Sequence, residues 1–239
     1  MAEPPKIQLF VKASDDGQTV GNCPFCQRVF MILWLKGLNF TLTTIDMKRA
    51  PEVLQDLAPG SQPPFVIFNG EVRTDTSKIE EFLEEMLAPP QYPKLCCRYM
   101  ESMGAGDDIF HRFSAYIKNP NPGLNDMLEN KFLKTLVKLD QYLQTPLPHE
   151  LDQNPDLTDS TRQCLDGSSL SLADCNLLPK LNIVKVVCRE FRGFEFPPEL
   201  TALNRYLDHA YQREEFHYTC PSDSEILLAY RSVAKYLKR

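Results

Sequence analysis

KIQLFVKASDDGQTVGNCPFCQRVFMILWLKG, residues 6–37, decides the fold of this chain. Its first part, KIQLFVKA (6–13), has the β-former content of a strand. SDDGQTVGN is a polar loop broken by Gly17 and Gly21. QRVFMILWLK then carries a long apolar run that Gly37 stops, which predicts a buried helix. Between loop and helix stands Cys23-Pro24-Phe25-Cys26. A strand, a CxxC pair and a helix in that order form the context in which the pair reads as a thiol redox site.

Outward from this stretch the pattern continues. FTLTTI (40–45) predicts a second strand. Pro51 opens a short helix, PEVLQDLA, with proline in its first turn. PFVIF (64–68) predicts a third strand, and Asn69-Gly70 a tight hairpin into a fourth strand, EVRT. Asp75-Thr76-Ser77 lead into a helix whose Ile79, Phe82, Leu83, Met86 and Leu87 share one face. The order β-α-β-α-β-β-α implies a mixed sheet covered by helices. APPQYPKL (88–95) holds three prolines and reads as a linker.

The remainder predicts helices. Apolar residues recur helically over 107–117 and 127–143, and further helices fit 199–213 and 223–237. Residues 146–160, PLPHELDQNPDLTDS, are acidic and proline-broken, and predict an exposed loop. Ser171-Leu-Ala-Asp174 fits a capping box opening a helix that contains Pro179. The expected domains are 1–88, a linker at 89–98, and an all-helical 99–239.

With 239 residues, the chain suits two small domains. It holds 26 Lys and Arg against 32 Asp and Glu, a net charge of -6. That balance argues against nucleic-acid binding and against constitutive attachment to anionic lipid. A mean hydropathy of -0.32 excludes a polytopic membrane protein. Eight cysteines in a chain opening MAEPPKIQLF, with no apolar signal core, predict reduced thiols and a cytoplasmic location. On that reading the Asn39-Phe40-Thr41 triplet is not glycosylated.

The chemistry of the pair follows from its position. The nucleophile in thiol exchange is the thiolate, and an ordinary cysteine is mostly protonated at neutral pH. A helix N-terminus offers free N–H groups and partial positive charge to an ionised Cys23. Pro24 costs no hydrogen bond there. Cys26, one turn on, is placed to resolve a mixed disulfide. Half of a zinc site and an inert packed pair are the alternatives. Zinc needs two more ligands, and His111, His149, His209 and His217 show no matching spacing.

FVKASDDG, GNCPFCQRVFMILWLKG, the PPF before the third strand, TDTSKIEEFLE, FSAYIKNPNP, LSLADCNLLPKL and EEFHYTCPSDSEI together resemble the chloride intracellular channel family, within the glutathione S-transferase structural superfamily. The resemblance spans nearly the whole chain. It implies an α/β thioredoxin-like N-terminal domain and an all-α C-terminal domain, the glutathione S-transferase-like fold. By position, Cys23 resembles the cysteine that forms a mixed disulfide with glutathione. Pro64 resembles the cis-proline opening the third strand, Asp75 and Thr76 the pair holding the γ-glutamyl end, and Lys12 the basic residue near the pocket. Asp75 and Thr76 also suit a helix cap.

Two features bear on the transfer. Several family members carry serine where this chain has Cys26, so a dithiol cycle is open here beside a monothiol one. Pro63 stands where a residue of the fold gives its backbone N–H to the substrate, and proline has none. Weak glutathione affinity is therefore expected.

The resemblance implies glutathione as thiol co-substrate without a metal, protein disulfides as substrates, and a glutaredoxin-like oxidoreductase using Cys23 and Cys26. It also implies membrane insertion under oxidising or acidic conditions to form a chloride channel. A non-enzymatic scaffold acting on channels or the cytoskeleton is the alternative. The segment that would insert, Cys23 through Ile45, has an uncharged apolar core of only VFMILWL (29–35). That is far below the ~20 residues of a spanning helix. Arg28 and Lys36 flank it, each costing about 2.5–3.5 kcal/mol at a bilayer centre. The expected resting state keeps this helix in the thioredoxin core. Cys96 and Cys97 read as incidental, and Cys164, Cys175, Cys188 and Cys220 as buried small hydrophobes. KVVCREFR (185–192) aligns with a stretch read as a nuclear signal in some relatives, with few basic residues here.

Overall fold

The computed structural model describes residues 3–49, 56 and 58–235. Most of the short helix expected at 51–58 lies outside them. Two compact units emerge, Met1–Leu95 with Tyr218–Glu225, and Cys96–His217 with Ile226–Arg239.

The first unit is built on a four-stranded sheet in the order β2-β1-β3-β4. These strands are β1 (Ile7–Lys12), β2 (Thr41–Ile45), β3 (Phe65–Phe68) and β4 (Glu71–Arg73). β2 runs parallel to β1, joined to it through helix α1 (Pro24–Leu35). β3 is antiparallel to β1, pairing Phe10 with Phe65. Asn69 at φ 48° and Gly70 at φ 90° turn β3 into β4, as a two-residue hairpin with both central residues at positive φ requires. Helix α2 (Thr76–Met86) follows.

Alternation along β1 separates two packed faces. Leu9 and Val11 are wholly buried, and α1 packs on β1 and α2. Phe10 points the other way, stacks on Phe65 at 4.9 Å and joins Ile45 and Ala58 in a second cluster. Val29, Phe30, Met31, Ile32 and Leu33 of α1 are all buried. Together they hold α1 in place with on the order of 10 kcal/mol of apolar burial. VFMILWL is thus core helix in this structure.

The charges beside that run are paired. Arg28 meets Glu80 at 2.5 Å. The Lys36 side chain is completely buried, its Nζ 2.5 Å from Glu84 Oε1, and it donates to the carbonyls of Leu87 and Pro93 at 2.7 and 2.8 Å. Residues 218–220 hold the outer side of α1. Tyr218 stacks on Trp34 at 6.1 Å, and Gln27 Nε2 reaches Thr219 Oγ1 and Cys220 Sγ, both at 3.2 Å.

The second unit is helical among its described residues: α3 (Met100–Gly104), α4 (Ile109–Ile117), α5 (Asn125–Gln144), α6 (Pro148–Gln153), α7 (Leu172–Arg192), α8 (Thr201–Gln212), α9 (Glu214–His217) and the later part of α10 (Asp223–Tyr230). A short 3-10 turn precedes α5. The helix expected over 223–237 ends at Tyr230, followed by a turn.

Residues 146–160 are not simply an exposed loop. Pro148 starts α6, and the Leu147 N–H donates to Glu150 Oε2 at 2.8 Å. Glu150 Oε1 accepts from Ser160 Oγ at 2.6 Å, so the acidic stretch is folded back on itself. The proline expected to break the chain instead occupies the helix start, where its missing N–H is harmless. α7 begins at Ser171 as its capping box predicts, keeps Pro179 inside, and ends on left-handed Gly193.

Candidate active site

Cys23 is the N-cap of α1, extended at φ -151°. The loop before it is fixed by a close approach. A Cβ on Gly21 would lie 2.3 Å from the Ala13 carbonyl oxygen, so only glycine fits. The Gly21 N–H donates to the Lys12 carbonyl at 2.8 Å, and Ala13 bridges Val20. The cysteine is thereby held at the C-terminal end of β1.

The two sulfurs differ sharply. Cys23 is partly exposed and accepts from the Cys26 N–H at 3.4 Å. Its thiol is lowered to about 6. The hydrogen bond from the Cys26 thiol is the main cause, aided by the Cys26 and Phe25 amides and the Lys12 charge against the cost of burial. Cys26 is fully buried, and that burial pushes its thiol well above the ordinary range. Its sulfur accepts from the Lys12 N–H at 3.5 Å. Lys12 therefore serves the site through its backbone as well as its charge. One thiolate and one thiol donor stand side by side.

The other expected residues lie as follows. The Pro63–Pro64 peptide is cis, and Pro64 is buried just before β3. Continuing the Phe10–Phe65 register by one step sets Pro64 opposite Val11, at the β1 end that meets Cys26. Asp75 caps α2, its Oδ1 accepting from the Lys78 N–H at 3.1 Å, with φ at 69°. Thr76 is the first residue of that helix. Direct contacts join Lys12, Cys23 and Cys26. Pro63, Pro64, Asp75 and Thr76 are placed by their own strand and helix starts.

Sequence reasoning passed over three neighbours. Phe25, between the cysteines, is 50% exposed. Asn22 Oδ1 is buried and accepts no hydrogen bond among the described residues. Gln27 is buried and ties α1 to residues 219 and 220. An asparagine before CxxC and a phenylalanine within it were the available signals. Among the described residues no cluster of His, Cys, Asp or Glu could hold a metal ion. Cys220 is half-buried rather than fully buried, its thiol pushed up by burial to about 11.

Residues 5–90 match the CLIC-like N-terminal domain family. Over 231 residues the chain is 58% identical to mouse chloride intracellular channel protein 3, covering 97% of this chain and 98% of that protein. The chain belongs to the chloride intracellular channel family. Among solved structures, the dehydroascorbate reductase of Chlamydomonas reinhardtii superposes with a TM-score of 0.76 at 24% identity, covering 95% of this chain and 98% of that one. Glutathione transferase Omega 3C of Trametes versicolor gives 0.70 at 18% identity, over 92% and 91%. The architecture is thus the glutathione S-transferase fold, a thioredoxin-like mixed sheet followed by a helical region. No helix among the described residues is long and apolar enough to cross a membrane.

Proposed function

We propose that this protein is a glutathione-dependent thiol-disulfide oxidoreductase in which Cys23 is the nucleophile. One observation carries the reading: the Cys23 thiol, lowered to about 6, sits at a helix start and is partly open to solvent. The Cys23 thiolate attacks a protein–glutathione disulfide and forms a new S–S bond to glutathione. The protein sulfur leaves with the bonding electrons and takes a proton from water. A second glutathione thiolate then attacks the Cys23–glutathione disulfide, giving oxidised glutathione and returning the Cys23 thiolate.

The buried, protonated Cys26 suits the role of hydrogen-bond donor to Cys23 better than that of second nucleophile. This favours the monothiol route. Asp75 Oδ2 is an acceptor for a ligand ammonium, and Thr76 is a donor for its carboxylate. The test is glutathione-coupled reduction of a small disulfide. Wild type is expected to turn over and Cys23→Ser to be inactive; equal rates defeat the proposal.

A membrane-inserting anion channel is the second reading, favoured by the name of the mouse relative. Insertion requires α1 to leave the sheet, break the Arg28–Glu80 and Lys36–Glu84 pairs, and unstack Trp34 from Tyr218. Trp34 fluorescence should then shift with anionic vesicles at acid pH or after peroxide. An emission spectrum indifferent to lipid, together with no chloride efflux from loaded vesicles, removes this reading.

A further inference from the structure

The second unit holds a cavity of about 450 Å³ around α6, separate from the cysteine chemistry. Its lining includes Arg98, His149, Gln153, Thr161, Gln163 and Ser168. The side chains of Arg98, Gln153, Thr161, Gln163 and Ser168 make no hydrogen bond or ion pair among the described residues. Arg98 uses only its backbone N–H, which donates to Asp166 Oδ2 at 2.6 Å.

His149 is oriented by Tyr99. The rings stack with centroids 5.7 Å apart. The Tyr99 oxygen accepts the His149 backbone N–H at 3.0 Å and lies 3.0 Å from Nδ1. With the Tyr99 hydroxyl donating to Nδ1, the ring carries a proton on Nε2. Nε2 faces Gly167, where even a Cβ would stand 3.7 Å away, so nothing of that residue's side chain covers it.

The carboxylate in the lining is already occupied. Glu150 Oε1 accepts from Ser160 Oγ, and Oε2 accepts from the Leu147 N–H and stands 3.5 Å from Arg162 Nη1. Arg162 in turn donates to the carbonyls of Tyr142 and Thr145 at 2.5 and 2.6 Å. What faces the cavity is one uncompensated guanidinium, an imidazole N–H, two amides and two hydroxyls. The amides and hydroxyls can donate or accept, so the unpaired Arg98 charge, with the one lining carboxylate already engaged, sets the preference for a negative group.

We propose that this cavity binds a small organic oxyanion, a carboxylate or a phosphate ester, with its charged end on Arg98 and His149 Nε2. The size of the cavity admits a metabolite-sized molecule. The side chain of Arg98 supplies the charge and takes no part in the fold, so its removal leaves the protein folded.

The experiment uses the full chain and follows the His149 ring nitrogens by NMR while inorganic phosphate, or in a parallel arm succinate, is added at constant ionic strength. Saturable displacement of the Nε2 resonance by either anion is expected, and the stronger of the two identifies the headgroup class. Arg98→Ala should weaken that binding by about tenfold or more. Gln163→Ala should weaken it less, and Cys23→Ser should leave it unchanged. No displacement by either anion, or the same displacement in Arg98→Ala, overturns the proposal. Loss of disulfide reduction in Cys23→Ser with anion binding retained separates this site from the cysteine site.

Discussion

Two helix starts in this molecule use the same device to opposite ends. At the start of α1, Cys23 accepts one backbone N–H and stays partly exposed. At the start of α7, Asp174 is completely buried and accepts four donors. These are the Ser171 N–H and Oγ at 2.8 Å, the Leu165 N–H at 3.0 Å and the Tyr206 hydroxyl at 2.8 Å. Burial raises the Asp174 carboxyl despite those bonds. Hydrogen bonds win over burial at Cys23, which is lowered. A group whose acceptors are all used holds a loop, two helices and a cap together and can do no chemistry. A group with an open side toward solvent can.

The contrast breaks first at Cys23. Cys23→Ser should lower glutathione-coupled turnover at least about a thousandfold while leaving the melting temperature at pH 6, where the thiolate contributes little stability, nearly unchanged. Asp174→Ala should do the reverse. It strands four donors in the interior, costs about 3–5 kcal/mol in urea unfolding, and leaves turnover per folded molecule intact. Should Asp174→Ala prove neutral, the carboxylate is not the anchor described here.

The two groups also titrate with opposite signs. The folded Cys23 thiol lies near 6, below its unfolded value of 9.0. Its contribution to stability is full above about pH 9 and is lost as pH falls through 6. The stability gap between wild type and Cys23→Ser, in reductant, should therefore be larger at pH 9 than at pH 6. Asp174, raised from 3.8, favours the folded state at low pH and loses that contribution as pH rises through its folded value. Cys26→Ala removes the thiol donor and should move the Cys23 midpoint, read by thiolate absorbance, upward from about 6. A midpoint near 7 would cut the thiolate fraction at pH 6 roughly fivefold. An unmoved midpoint assigns the lowering to the helix amides instead. The smallest expected effect is at Pro63. Pro63→Leu restores an N–H to the substrate edge and should tighten glutathione binding about two- to tenfold by calorimetry. Unchanged or weaker binding removes the reason given for low affinity.

Much of the first unit could be read locally. Asn69-Gly70 needs only its own backbone to make a hairpin, and Gly37 and the apolar run 29–35 delimit α1 without reference to distant residues. The Ser171–Asp174 box was legible for the same reason. The acidic stretch 146–160 was misread because composition reports polarity, whereas Glu150 is held by Ser160 and Arg162 across loop closures that no local pattern encodes. Arg192, the last residue of the 185–192 stretch, donates to the carbonyls of Tyr116, Ile117 and Asn119, which no local pattern announces.

What the residue order determined by itself was the strand–CPFC–helix start, the hairpin, the helix caps and the family, since all of these are short-range or pattern properties. The order also pointed to Cys23 as the ionised thiol, but tertiary structure alone decided that Cys26 is buried and serves as its donor, because that depends on how deeply each sulfur is buried. It also decided that Lys36 is satisfied in the core, that residues 218–220 clasp α1, and that Arg98 and His149 share a cavity. Burial and hydrogen-bond partners are set by groups far apart in the chain, and only folding brings them within reach of one another.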